Sequence, residues 1–206
     1  MKIIQFFTKI FFPKIIWKQS SNNKNIYLTF DDGPTEEVTE WVLNTLQKYN
    51  AKGTFFCLGK NIIAFPKVFD KLISLGHTIG NHTFNHSNGW KVKKREYLAD
   101  IDAFDDLKLE IQEQKPTLFR PPYGKLNLFA YSNITKHRNI VMWSVLSKDY
   151  KQNLNCEKQL EKITKATKPG TIIVFHDSKK AFGNLQYLLP RYLEYCSKMG
   201  FSFEVL

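Results

Sequence analysis

The sequence predicts an α/β fold, a distorted (β/α) barrel of about seven parallel strands that is similar in plan to a TIM barrel. Short β-rich runs alternate with runs of helical spacing from residue 25 to the end of the chain. This order favours parallel strands with right-handed crossovers, either doubly wound or closed into a barrel. A complete eightfold barrel typically takes about 250 residues, so a barrel that is one strand short or distorted suits 206 residues better.

Seven short runs have the composition of strands, because β-branched and aromatic residues dominate them and turn-forming residues flank them. The predicted strands cover residues 25–30, 53–58, 78–80, 118–120, 140–145, 171–175 and 201–205. Together they account for one sheet in a single domain.

Between these strands, apolar residues recur at the spacing of one helix face. The predicted helices cover residues 36–49, 61–75, 93–112, 127–137, 155–167 and 185–199. Thr35 is placed to cap the first helix. Proline interrupts helical hydrogen bonding, so Pro66 predicts a kink or a restart, and Pro190 conflicts with the middle of the last helix.

The composition indicates one globular domain with a basic surface. A hydrophobic content of 43% in 206 residues suffices for one substantial core. The net charge of +11 comes from scattered lysines, which indicates a solvated basic surface and no nucleic-acid partner. The three cysteines lack C-x-x-C spacing, so neither a zinc knuckle nor a disulfide framework is predicted.

Residues 1–24 form a basic and aromatic segment that we expect to pack on the domain or to anchor it, whereas residues 25–206 form the domain itself. The apolar runs of this segment are too short for a transmembrane helix, and it shows no clear cleavable signal. Peripheral contact with a membrane or an anionic cell wall stays open. The compartment also stays open between the bacterial cytoplasm and a membrane-associated cell envelope.

Polar residues stand at the carboxyl ends of the predicted strands. Asp31 and Asp32 follow the first strand, His82 and His86 follow the third, and His176 ends the sixth. Functional sites form at the carboxyl edge of parallel sheets, whereas chance would scatter these residues over both edges. We therefore expect them to share one site.

The residue types suit metal-assisted hydrolysis. Two histidines four residues apart project to one side of a helical turn, and with one aspartate they can hold a metal while leaving positions for water. The side chains of adjacent aspartates in a strand point to opposite faces, so one can bind the cation while the other acts on a different atom. Arg120 could orient a carboxylate, and Asp149 could fix one tautomer of an imidazole. Turns, caps and structural ion pairs are the alternatives.

Taken together, the motifs resemble the polysaccharide deacetylase family, or NodB-homology domain, which includes chitin and peptidoglycan deacetylases. They are Thr-Phe-Asp-Asp-Gly at 29–33, His-Thr-x-x-His at 82–86, Arg-Pro-Pro-Tyr at 120–123 and Val-Phe-His at 174–176. The resemblance implies a distorted (β/α) barrel in which residues 25–206 are catalytic. It also implies metal-dependent removal of acetyl groups from N-acetylated amino sugars in a glycan such as peptidoglycan or a chitooligosaccharide.

The resemblance also implies a role for each central residue. Asp32, His82 and His86 would hold Zn²⁺, or Co²⁺ or another divalent metal in its place. Asp31 would be the general base and His176 the general acid.

Further residues would support the central ones. By the same resemblance, Arg120 orients the base, Asp149 tunes the acid, and the backbone N–H of Tyr123 helps to form the oxyanion hole. Asp177 has no implied catalytic role and is interpreted as supporting the loop after His176.

The substrate pocket departs from the family pattern. Tyr123, Tyr150 and Val174 fall where the family contacts the substrate, the last two lining a pocket for the acetyl methyl group. Tyr150 replaces a common Trp, Val174 a common Leu, and Leu146 a frequent Asp. These departures put the shape of the pocket, and with it the substrate preference, in question.

Three other functions stay open at this point. An O-acetyl esterase acting on a polysaccharide such as xylan would use the same scaffold. A non-haem iron oxygenase also uses two histidines and a carboxylate, although its usual jelly-roll fold conflicts with the βα order. A glycan-binding module without catalysis predicts eroded catalytic residues, and none is missing here. We expect a monomer that acts on an acetylated glycan.

Overall fold

The computed structural model describes residues 12–20 and 23–206, and within them one parallel sheet organises the fold. Of the segment at residues 1–24 that is predicted to pack on the domain or to anchor it, residues 1–11, 21 and 22 lie outside the described residues. The strands are β1 (Ile15–Ile16), β2 (Asn25–Asp31), β3 (Thr54–Cys57), β4 (Thr78–Asn81), β5 (Leu118–Phe119), β6 (Asn139–Val141), β7 (Val145–Leu146), β8 (Ile172–His176) and β9 (Ser202–Glu204).

The sheet has the strand order β1-β6-β5-β4-β3-β2-β8-β7, and β9 pairs with the beginning of β2. Every strand pair in the described part of the chain is parallel. β6 and β7 lie toward opposite ends of this order, yet only residues 142–144 separate them in the chain. The sheet must therefore curl, and the predicted distorted (β/α) barrel is confirmed.

Helices follow the strands as the apolar spacing predicts. They are α1 (Glu36–Gln47), α2 (Gly59–Ala64), α3 (Pro66–Ser74), α4 (Lys94–Gln112), α5 (Tyr131–Ile134), α6 (Cys156–Ala166) and α7 (Phe182–Lys198). The restart expected at Pro66 is present, with the proline in the first turn of α3, where its missing N–H costs no helical bond. Pro190 lies inside α7, which continues through it.

Three local predictions are wrong. Residues 140–145 form two short strands instead of one, because the Arg120 side chain takes the carbonyl oxygens of Val141 and Met142 that a continuous strand would use. Residues 127–137 form only a 3₁₀ turn at Leu128–Ala130 followed by α5. Thr35 precedes α1, but its hydroxyl donates to the backbone oxygen of Asp177 and does not cap the helix.

The core lies between the sheet and the surrounding helices. Phe30 of β2 stacks on Phe55 of β3 and Phe175 of β8, with ring centroids 4.7 and 6.0 Å apart. All three side chains are buried, so the central strands are fixed from one side by aromatic packing. None of the described helices is long and apolar enough to cross a membrane.

Candidate active site

The carboxyl ends of three strands meet at one edge of the sheet. Asp31 at the end of β2 is in register with His176 at the end of β8, and β3 connects β2 to β4, after which His82 follows directly. The structure thus brings together the polar residues that the sequence places after separate strands. They line one cleft of about 410 Å³.

Asp32, His82 and His86 form a cluster that can hold a metal ion. One ligand atom from each lies within 4.8 Å of the others, and Asp32 Oδ1 lies 3.3 Å from His86 Nε2. Burial lowers the pKa of His82; burial and the neighbouring His82 lower the pKa of His86 to about 4. Both imidazoles are therefore neutral near pH 7, as metal ligands must be. Two imidazoles and a carboxylate are a common set for catalytic zinc.

The loop from residue 82 to residue 86 fixes the direction of both imidazoles. His82 donates from Nδ1 to the carbonyl oxygen of Arg120 at 2.7 Å, which leaves Nε2 directed at the cluster. The expected helical turn is wrong, because Thr83 and His86 have left-handed φ values of 67° and 69°. The Thr83 hydroxyl accepts the N–H groups of His86 and Ser87 at 2.9 and 3.2 Å and stabilises this irregular loop.

Asp31 is a buried carboxylate paired with a buried guanidinium. Arg120 donates from Nη1 to Asp31 Oδ1 at 2.7 Å and to the Thr29 hydroxyl at 2.8 Å. Burial raises the pKa of Asp31, but Arg120 and the neighbouring imidazoles outweigh it and hold the pKa below its ordinary value. Asp31 Oδ2 lies 4.0 Å from His82 Nε2, so a charged carboxylate oxygen faces the cluster of candidate metal ligands.

His176 is held in place by Asp149. Its Nδ1 donates to Asp149 Oδ1 at 2.7 Å, and its backbone N–H donates to Oδ2 at 2.8 Å. Burial lowers the pKa of His176, but the Asp149 carboxylate outweighs it and raises the pKa to about 9. The imidazole is therefore protonated near pH 7, with Nε2 free to serve the cleft.

Tyr123 and the proposed acetyl-pocket residues also reach the cleft. Tyr123 has a left-handed φ of 59°, and its ring packs 4.5 Å from that of His86. The Tyr150 ring meets His176 edge-on at 4.9 Å. Val174, the third predicted lining residue, and Leu146, a departure from the family pattern, also line the cleft. The departures from the family pattern therefore lie where they can shape the pocket.

Sequence reasoning missed four residues of the cleft lining, Gly124, Trp143, Ser178 and Lys180. Trp143 lies just beyond β6, at the same sheet edge as the other site residues, so its position after a strand was an available signal. Ser178 and Lys180 follow His176 in an irregular loop whose course no periodic pattern predicts.

Asp177 stabilises the turn that carries Asp31 and Asp32. Its carboxylate accepts the backbone N–H of Gly33 at 3.0 Å and the hydroxyl of Thr39 at 2.6 Å, and its own backbone N–H donates to the backbone oxygen of Asp31. A Cβ atom at Gly33 would overlap this carboxylate, so glycine is required there. Asp177 thus ties the Asp31–Asp32 turn to the start of α1.

A carboxylate–imidazole cluster with a separate acid and base beside it is typical of metal-dependent hydrolases. Sequence comparison then identifies the family within this class. The sequence model of the polysaccharide deacetylase family matches residues 18–143, and the chain belongs to this family.

Proteins of similar sequence and structure support this family assignment. A peptidoglycan N-acetylglucosamine deacetylase of Bacillus cereus is 31% identical over 195 residues, covering 92% of this chain and 89% of that protein. A second one from B. cereus is 34% identical over 159 residues, or 76% of this chain, which spans only 57% of that relative's length. The crystal structure of the Bc1960 peptidoglycan N-acetylglucosamine deacetylase superposes with a TM-score of 0.90 at 28% identity, covering 97% of this chain and 94% of that one.

Proposed function

We propose that the protein hydrolyses the acetamido group of N-acetylglucosamine units in a glycan of the peptidoglycan type, releasing acetate and leaving a free amine. One observation carries the proposal: Asp31, kept ionised by Arg120, shares a cleft with His176, kept protonated by Asp149. Amide hydrolysis needs this combination, because a base must activate water and an acid must protonate the departing nitrogen. The likeness to peptidoglycan N-acetylglucosamine deacetylases supports the choice of glycan.

We propose Zn²⁺ as the resident metal, with Co²⁺ able to replace it, held by Asp32, His82 and His86. The donor types and the low pKa of His86 support this assignment. When bound, such an ion acidifies a water molecule and polarises the carbonyl oxygen of the acetamido group.

The protein's own groups move the protons. Asp31 takes a proton from the attacking water as the water oxygen bonds to the acetyl carbon. Arg120 holds the Asp31 carboxylate in position. The backbone N–H of Tyr123 donates to the oxygen that gains negative charge. His176 then gives its Nε2 proton to the nitrogen as the C–N bond breaks, so acetate and a free amine leave. General acid–base transfers of this kind contribute factors of about 10²–10⁴ each.

The assay that tests this function is amine release from a panel of acetylated glycans, with and without added zinc. We expect amine from peptidoglycan and from N-acetylglucosamine oligomers, and no acetate from acetylated xylan. Acetate from xylan without amine from the oligomers would replace the amidase with an O-acetyl esterase.

An Asp31→Asn variant tests the role of the base within the same assay. Because asparagine keeps the shape but cannot accept the proton, we expect amine release to fall about 10²–10⁴-fold. Cobalt binding, followed by visible absorption, should persist because Asp31 is not a proposed ligand. Full activity in this variant would show that another group is the base.

A further inference from the structure

Trp90 is a large aromatic side chain that stays exposed in a fixed orientation. It keeps 71% of its accessible surface, although its indole Nε1–H donates to the backbone oxygen of Leu126 at 3.1 Å. Its backbone N–H donates to Asn88 Oδ1 at 3.0 Å, which fixes the chain as well as the ring. An aromatic ring that is both exposed and immobilised is a preformed contact surface.

This surface adjoins the catalytic cleft. Trp90 lies just beyond the loop that carries His86, and Lys125 lies just beyond Tyr123 and Gly124, two residues of the cleft lining. The two segments pack so closely that a Cβ atom at Gly89 would overlap the backbone oxygen of Lys125. The Lys125 ammonium lies 5.1 Å from the centre of the Trp90 ring. Trp90 and Lys125 therefore form an outer continuation of one wall of the cleft.

We propose that Trp90 and Lys125 form a sugar-binding subsite for a pyranose ring of the glycan chain beyond the unit that is deacetylated. This inference rests on the proposed function, because it assumes a polymeric glycan in the cleft. The C–H groups on one face of a pyranose carry slight positive charge and pack on the negative face of an indole. Lys125 supplies N–H donors for the hydroxyl or carboxylate oxygens at the edge of the sugar.

The geometry favours a glycan over a lipid surface. Trp at a membrane interface keeps its ring in the apolar layer with the N–H toward the headgroups. Here the N–H is already committed to Leu126 within the protein, and the Lys125 ammonium lies over the ring. A flat ring that joins a polar cleft suits a chain of alternating apolar faces and hydroxyl edges.

The test compares substrate length. In Trp90→Ala, we expect KM for an N-acetylglucosamine hexamer to rise about fivefold with unchanged kcat, whereas KM for the dimer stays constant. Trp90→Phe should keep most of the affinity, because it keeps an aromatic face. Phe129→Ala, which removes another exposed aromatic ring (84% exposed), is the matched control and should change neither KM. Equal effects of Trp90→Ala on both lengths, or none, would overturn the subsite.

Direct binding separates this inference from the proposed function. Calorimetric titration of the metal-free protein with the hexamer should show weaker binding by Trp90→Ala than by wild type. This expectation does not depend on whether wild type releases amine in the separate activity assay. Weaker binding without amine release by wild type would support the subsite and reject the proposed function. Amine release by wild type, together with equal hexamer binding by wild type and Trp90→Ala, would support the proposed function and reject the subsite. Loss of binding to anionic phospholipid vesicles in both Trp90→Ala and Phe129→Ala, with hexamer binding unchanged, would replace the subsite with a membrane contact.

Discussion

Asp31 and His176 carry opposite charges in one cleft, and each forms an ion pair with a buried partner. Arg120 is fully buried, and its guanidinium contacts Thr29, Asp31 and two backbone oxygens. It is therefore fixed in place and cannot follow a displaced carboxylate. Asp149 is equally buried and binds His176 through both of its oxygens. The proposed division into base and acid thus follows from the charge of the partner that each residue has.

The protonation of His176 can be tested in an Asp149→Asn variant. In the metal-free wild type we expect the imidazole to titrate at about 9, as followed by NMR. Asparagine removes the carboxylate that raises the pKa most while burial remains, so the pKa should fall from about 9. An unchanged titration would show that Asp149 does not hold the proton on His176.

The same pair makes stability depend on pH. The pKa of His176 is higher in the folded state than the ordinary value of 6.5, so its stabilising effect is complete below about 6.5 and is lost as pH rises through about 9. The alkaline limb of the activity profile should fall in the same range, because only the protonated imidazole can donate. In Asp149→Asn, this limb should move to lower pH, as measured by kcat/KM across a pH series.

At the scale of elements, helix α4 holds the loop that carries His82 and His86, the proposed metal ligands. Asp105 on α4 accepts from Asn81 Nδ2 at 2.6 Å, and Asn81 Oδ1 accepts the backbone N–H of Thr83 at 2.7 Å. Arg138 donates from Nε to the other oxygen of Asp105 at 2.7 Å. Asn81 directly precedes His82, so a buried ion pair outside the cleft is connected to a proposed metal ligand through one side chain.

An Asp105→Asn variant tests this connection. It removes the buried one of the two carboxylates that pair with Arg138, the exposed Asp102 being the other, and breaking a buried pair typically costs about 3–5 kcal/mol of stability. We also expect metal affinity to weaken about 10-fold or more, as when other outer contacts to a metal ligand are lost. Denaturant unfolding and competition with a chromophoric chelator measure the two effects.

Asp106→Asn is the matched control, because it removes the neighbouring carboxylate on the same helix. Asp106 pairs with Lys115 at 3.4 Å in an exposed position, so its loss should cost no more than about 1 kcal/mol. Metal affinity should stay at the wild-type value in this variant. Equal metal affinities for the Asp105 and Asp106 variants would show that the ion pair does not position the histidines.

Local patterns predicted those elements that local interactions determine. Period and composition identified β2, β3, β4, β8 and the longer helices, and the placement of polar residues after strands brought the site residues together. The two-residue strand β1 is too short for a pattern and exists through pairing with β6. The break between β6 and β7 depends on the Arg120 side chain, and the support of Asn81 by Asp105 depends on a helix distant in sequence. Such contacts appear only when the chain is folded.

At the scale of the whole molecule, the curl of the sheet brings the ends of strands that are far apart in sequence to one cleft. Asp32 comes from the end of β2, and the two histidines come from the loop after β4. The irregular conformations of Asp32 and His86, both with left-handed φ, lie at the ligand positions themselves. A metal ion bound there would therefore cross-link two segments that the fold holds in strained conformations.

Metal removal should consequently lower the stability of the whole domain. An ion that binds only the folded state stabilises by about 2.7 kcal/mol at a free concentration 100 times its Kd, which for a domain of this size raises Tm by about 5–10 °C. We expect calorimetry to show this difference between chelator-treated and zinc-loaded protein. His86→Ala should lose the zinc-dependent shift, whereas His137→Ala, which removes an exposed histidine away from the cleft, should keep it. A shift that persists in His86→Ala would place the stabilising metal elsewhere and would remove His86 from the proposed ligand set.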